Sequence, residues 1–334
     1  MREPAAMAAL AAGLAGALAL AAAGAAIADA GKVPGTFHRP QVDVARDPPA
    51  WYADTLYHKM DPPRPGDWKA AHPEPVQSFR QYVASRPNRP TPARHTLVLA
   101  PLGTFSPEAA KRTEPLREYL ETYYTLPVSA APPAPLKGVT SRQRRWGDRR
   151  VTQYLTGDIL GKVLPPRVDR GTFSLLAVTM EDLYPEDSWN YVFGQASLAD
   201  RVGVYSLVRF YPEFWGEPAG PEAERRGLKR SLATLVHETG HMFGVHHCQT
   251  FDCVLNGSNS LAESDRRPLH LCPECLKKFR WNIGFDVPGR YEALRAFYEK
   301  HGFEAEAAWV AKRLAECRAD PAARPAAPPG RPAP

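Results

Sequence analysis

The stretch from Leu235 to Cys248, Leu-Val-His-Glu-Thr-Gly-His-Met-Phe-Gly-Val-His-His-Cys, constrains this chain more than any other. His237 and His241 are four residues apart, so on a helix they project from one face with Cβ atoms roughly 5–6 Å apart. That separation suits two ligands of one tetrahedral zinc. Glu238 is turned too far round the helix to displace a histidine, yet lies within reach of water on the metal, the place of a general base. Gly244 can take the left-handed conformation that ends the helix and turns the chain sharply. The turn brings His247 back as third ligand, with His246 beside it and given no role by the spacing. An amphipathic helix with solvated histidines would account for an isolated His-Glu-x-x-His, but not for Gly244 and His247 as well.

The chain has 334 residues, 44% hydrophobic and 23% charged, enough for a sizeable core in one large or two small domains. A formal charge of +6 and a pI near 9.0 would suit a nucleic-acid partner. The basic residues are scattered among prolines, however, and no basic stripe is interleaved with aromatics, so no nucleic-acid partner is expected. The 35 prolines crowd the region before residue 95 and the tail after residue 320, which predicts extended or disordered ends.

Four regions follow. In residues 1–30, Arg2 and Glu3 precede an uncharged run from Pro4 to Ala28, and Ala28-Asp29-Ala30 resembles a signal-peptidase site. This predicts a signal peptide or membrane anchor, hence a secreted, periplasmic or membrane-anchored protein; an alanine-rich extension on a cytoplasmic protein is the alternative. Residues 31–94 are expected to form a Pro-rich extended segment packed loosely on the catalytic body. Residues 95–320 form the catalytic domain, and 321–334 a disordered Pro/Ala-rich tail.

Within the domain, apolar runs predict strands over 95–100, 127–130, 173–180, 191–198 and 202–210. Ser106-Pro-Glu starts a helix that Pro115 interrupts or restarts, and helical character continues over 116–124. The five arginines of 142–150 read as a solvated turn before a helix over 151–163. A long helix over 224–243 carries the first two histidines, and another covers 303–319. Strands alternating with helices indicate an α/β fold with a mixed sheet.

Four of the five cysteines follow the histidine helix as Cys248-x4-Cys253 and Cys272-x2-Cys275. Two close pairs separated by eighteen residues are what a structural four-thiolate zinc site requires. Two local disulfides are the competing arrangement, favoured by export, but the two-residue spacing inside Cys-Pro-Glu-Cys suits a metal knuckle better. Cys317 continues the apolar series Phe303, Ala307, Val310, Leu314 and is expected to be a small buried hydrophobe.

The full pattern His237-Glu-x-x-His241-x-x-Gly244-x-x-His247 resembles the metzincin zinc signature. Its continuation into Cys248-x4-Cys253, Asn256-Gly-Ser-Asn259, Arg267-Pro-Leu and Cys272-x2-Cys275 resembles the archaemetzincins. Upstream, Asp182-Leu-Tyr-Pro and Ser188-Trp-Asn-Tyr-Val-Phe-Gly-Gln-Ala-Ser are also similar to that family. The likeness runs from about residue 95 to 300, with Trp68 to Phe79 a further candidate stretch. It implies a metzincin-like zincin fold, with a mixed sheet, an active-site helix and a C-terminal part holding the four-cysteine zinc site. It further implies His237, His241 and His247 as catalytic zinc ligands, Glu238 as catalytic base, and Cys248, Cys253, Cys272 and Cys275 as the structural site. Two zinc ions are therefore expected. One departure stands out: metzincins place a methionine in a turn beneath the zinc, and here Leu255 occupies that position. Gly257 replaces the tyrosine that some members carry two residues later.

The implied chemistry is hydrolysis of a peptide bond in a peptide or protein substrate by a monomer. Zinc polarises the carbonyl and lowers the pKa of bound water while Glu238 moves the proton. The resemblance and strand order place the substrate beside the 202–210 strand, as an added strand. The alternative is a zinc-stabilised peptide- or protein-binding protein with weak activity or none.

Overall fold

The computed structural model describes residues 42–319, so the alanine-rich N-terminal run and the Pro/Ala-rich tail lie outside the described residues. Among the described residues, no helix is long and apolar enough to cross a membrane.

The strands are β1 (Thr96–Leu102), β2 (Val128–Ala130), β3 (Ser141–Trp146), β4 (Arg149–Leu155), β5 (Thr172–Thr179), β6 (Asp182–Tyr184), β7 (Gly194–Ala196) and β8 (Val202–Ser206). They form a mixed five-stranded sheet in the order β2-β1-β5-β8-β7 and a three-stranded sheet in the order β3-β4-β6. In the larger sheet β2, β1, β5 and β8 are parallel, and β7 pairs antiparallel with β8 at the edge. All eight residues of β5 are buried. That is why Phe173–Val178 reads as a largely apolar run broken only by Ser174, as expected of a parallel strand covered on both faces.

One face of the sheet packs on the long helix Pro221–Met242; the C-terminal helices Pro273–Ile283, Val287–Lys300 and Glu304–Ala319 pack on other helices, Val287–Lys300 against Glu114–Tyr124, and their apolar residues join the same core. A second, smaller core on the other face includes Ile159 and Leu164. The long helix begins with Pro221 in its first turn and carries Glu222 and Glu224 there, both favourable at the positive end of the helix dipole. It stops before Gly244, at φ +81°, where a Cβ would also lie 2.8 Å from Pro87 Cβ. The predicted restart at Pro115 is seen as the helices Pro107–Lys111 and Glu114–Tyr124. Cys317 is buried in the last helix, as its apolar series indicated.

Four expectations are corrected. Residues 142–150 are not a solvated turn and 151–163 is not one helix: they form the β3–β4 hairpin, followed by short helical turns over 156–163. The arginines misled because their side chains work away from the strand. Arg142 donates to the carbonyls of Asp187 (3.0 Å) and Trp189, and Arg144 donates to Asn190. The 202–210 strand ends at Ser206, because the next turn directs Arg209 inward onto Asp182 through two 2.7 Å hydrogen bonds. β8 is moreover an inner strand, so it has no free edge for a substrate; that edge belongs to β7. Finally, residues 42–94 are not a loosely packed extended segment. They contain the short helices Pro49–Tyr52, Trp68–Ala71 and Phe79–Ala84, and Tyr82 is fully buried.

Candidate metal centre and active-site cleft

The last turns of the long helix put His237 and His241 side by side, with ring centroids 4.7 Å apart. Gly244 turns the chain so that the His247 ring comes to 4.8 Å from His241 and 5.2 Å from His237. One nitrogen from each of the three lies within 4.8 Å of the others. Each ring is held through its Nδ1: His237 by the Val254 carbonyl at 2.9 Å, His241 by the Val245 carbonyl at 2.7 Å, His247 by Glu74 at 2.8 Å. With Nδ1 donating, each Nε2 is left as a lone pair. The Nε2 atoms of His237 and His241 face each other at 3.1 Å. Two lone pairs at that separation repel unless a cation lies between them, and two nitrogens on a tetrahedral zinc are roughly 3.3 Å apart. The residues present therefore fit zinc. Burial, then the neighbouring His247, pushes His241 down to about 3, and His237 is lowered well below its ordinary value by burial and by His241. Both are accordingly neutral at physiological pH, the form that binds metal.

Glu238 is buried next to this triad, and burial pushes its carboxyl up to about 8 against the opposing pull of Arg267. A divalent cation alongside pulls the same way as Arg267. The backbone of β7 runs against this carboxylate: a Cβ on Gly194 would sit 2.7 Å from Glu238 Oε1. His237, Glu238, His241 and His247 line a cleft of about 1110 Å³ with partly exposed aromatic walls that include Trp68, Trp146, Trp189 and Tyr191. The buried Asp182–Arg209 pair supports that wall, with the guanidinium 3.8 Å from the Tyr191 ring centre and 4.2 Å from that of Trp146.

The four cysteines converge immediately behind. Cys248, Cys253, Cys272 and Cys275 are buried with their sulfurs all within 4.8 Å of one another, none of them in a disulfide. Cys248 Sγ and Cys272 Sγ are 3.6 Å apart, close to the roughly 3.8 Å edge of a tetrahedral zinc–thiolate site. Asn256 braces the loop that carries the first cysteine pair, and the Val254 carbonyl of the same loop holds His237. Asn256 Nδ2 donates to the carbonyls of Cys248 (2.8 Å) and Phe251 (3.0 Å), and its Oδ1 accepts from the Cys253 N–H (2.7 Å). Leu255 fills the floor: its carbonyl accepts from the Cys248 N–H at 2.9 Å, and its side chain would lie 3.1 Å from a Cβ on Gly240.

All seven residues expected from the sequence to bind metal thus fall into two clusters, with Glu238 beside the histidine one. His246 is exposed on the lining of the same cleft, its backbone N–H donating to Gln77 at 3.2 Å. Sequence reasoning missed Glu74, Gln77 and Gly194. Glu74 is 173 residues from the histidine it contacts, so no local spacing could reveal it.

The family described as Peptidase family M54 matches residues 168–281. Archaemetzincin-2 of Macaca fascicularis is 36% identical over 270 residues, covering 72% of this chain and 74% of the relative. Archaemetzincin of Pyrococcus furiosus is 38% identical over 133 residues, covering 40% of this chain and 67% of the relative. A crystal structure of archaemetzincin from Methanopyrus kandleri is 27% identical and covers 59% of this chain and 99% of that one, with a TM-score of 0.45. The match to peptidase family M54 and the 36% identity across 74% of a relative make this chain a member of the archaemetzincin family of zinc metallopeptidases.

Proposed function

We propose that this metallopeptidase holds two zinc ions, a catalytic one at His237, His241 and His247 and a structural one at Cys248, Cys253, Cys272 and Cys275, with Glu238 as general base. The observation that carries this reading is the convergence of three lone-pair nitrogens beside a buried carboxylate at the floor of a large cleft. When bound, zinc supplies the Lewis acidity that polarises a peptide carbonyl and makes water available as a nucleophile near neutral pH. Glu238 takes the proton from the attacking water and passes it to the leaving amine. The extended substrate pairs with the free edge of β7, whose backbone at Gly194 touches Glu238.

The test is Glu238→Gln, assayed on a diverse peptide library alongside elemental zinc analysis. Zinc content is expected to stay at two per chain while turnover falls about 10²- to 10⁴-fold. Turnover comparable to wild type would refute the assigned base. Retained zinc without cleavage by the wild type would instead favour a binding protein.

A further inference from the structure

The three histidines differ in what holds them. His241 leans on the backbone carbonyl of Val245 in the turn that ends its helix, and His237 on that of Val254 in the nearby cysteine loop. His247 instead donates Nδ1–H to a side chain from a remote part of the chain, with 2.8 and 3.0 Å to the two oxygens of Glu74. That carboxylate is itself fixed. Trp68 Nε1 donates to it at 2.9 Å, and Gln249 Nε2 lies 3.4 Å from its other oxygen. Trp68 in turn is held at its backbone, whose N–H donates to Glu263 at 2.8 Å, and its indole packs over Gly257, where a Cβ would come within 2.3 Å of it.

The same segment also closes the end of the histidine helix. Gln77 donates to the Gly244 carbonyl at 3.1 Å and accepts from the His246 N–H at 3.2 Å. Tyr82 Oη donates to the Phe243 carbonyl at 3.0 Å, and Asn88 Nδ2 to that of Met242 at 3.2 Å. The carbonyls of Met242, Phe243 and Gly244, at and just past the helix end, are thus satisfied by residues 77–88, while those of Gly240 and His241 accept from the N–H groups of the turn, and the turn presenting His247 is built against the segment.

We propose that Glu74 is the positioning residue of the third zinc ligand: it holds the His247 proton on Nδ1, directs Nε2 to the metal, and so makes zinc retention depend on the docked 68–88 segment. This rests on the ligand role proposed for His247. A carboxylate behind a ligating histidine fixes its tautomer and orientation and raises its basicity, and losing such a partner typically weakens metal binding 10- to 100-fold. The dependence is specific to the catalytic site, since the cysteine sulfurs receive nothing from Glu74. It also lies outside residues 168–281, the part that matches the peptidase family.

The experiment is chelator competition for the more weakly held zinc in full-length wild type, His247→Ala, Glu74→Ala, Glu74→Gln and Trp68→Phe. Metal-free melting temperature is measured in parallel, and histidine tautomers are read by long-range proton–nitrogen NMR. His247→Ala tests the underlying ligand role; retention of wild-type zinc affinity there would sink that reading rather than this one. With His247 required, Glu74→Ala is expected to weaken zinc 10- to 100-fold and to abolish the single Nδ1–H tautomer of His247. Glu74→Gln, isosteric and uncharged, should be intermediate, and Trp68→Phe should lose severalfold because Glu74 is left without its indole donor. Affinities within twofold of wild type in both Glu74 variants overturn the proposal. So does a loss confined to Glu74→Ala that tracks a fall in metal-free melting temperature, which would reduce Glu74 to packing.

Discussion

Gly194→Ala isolates the fit between the edge strand and the proposed base. A Cβ at that position would lie 2.7 Å from Oε1, 2.8 Å from Cδ and 2.9 Å from Cγ of Glu238. Gly194 is not among the glycines with positive φ, so alanine meets no backbone strain and the whole effect falls on Glu238. Ordinary contact starts at 3.4 Å, so the carboxylate has to retreat by about 0.7 Å. Displacements near 1 Å in a catalytic constellation cost on the order of 10²-fold. The expected loss in kcat is therefore about 10- to 100-fold, or about 1.4–2.7 kcal/mol of transition-state stabilisation. Zinc content should remain that of wild type, because the histidines are untouched, and the melting temperature should hold because a carboxylate end can swing. Steady-state cleavage of the best library peptide, with zinc analysis and thermal melting on the same samples, reads all three. A kcat within twofold of wild type would show that Glu238 does not work from this position.

Four further outcomes are expected. Asp182→Ala leaves Arg209 buried without its carboxylate, which should cost about 3–5 kcal/mol in urea unfolding and loosen the Trp146–Tyr191 wall; a cost under about 1 kcal/mol would contradict this. Cys253→Ser should bring zinc below two per chain and destabilise by several kcal/mol, whereas Cys317, whose thiol burial pushes up to about 11, should resist alkylation at pH 8 until the protein unfolds. Leu255→Met, a swap of similar volume in the floor, should cost less than about 1.5 kcal/mol and leave zinc stoichiometry unchanged, so metal loss would show that the floor is more exacting than its packing suggests.

The two clusters that could hold metal were legible because their members lie at short sequence distances. His237, His241 and His247 are placed by one helix and one glycine turn, and the cysteine pairs by one short loop and one helix start, so spacing carries much of the geometry. Buried parallel strands such as Thr172–Thr179 were legible for a related reason: burial on both faces favours apolar residues, and Phe173 and Leu175–Val178 supply them. The arginine-rich hairpin was not, since Arg142 and Arg144 sit on strand residues yet spend their charge on the 187–190 loop, a partner that periodicity cannot register.

What the sequence determined, then, is a cluster of three histidines and a cluster of four cysteines that could each hold a metal, and the helix that bears the first. What only the tertiary structure decided is everything that arrives from a distance. The β7 edge lies against Glu238 because the sheet ends there, although the sequence favoured β8 for the substrate. Glu74 meets His247 because residues 68–88 close over the end of the histidine helix. Both contacts join groups far apart in the chain, and their positions follow from the packing of whole elements rather than from any local repeat.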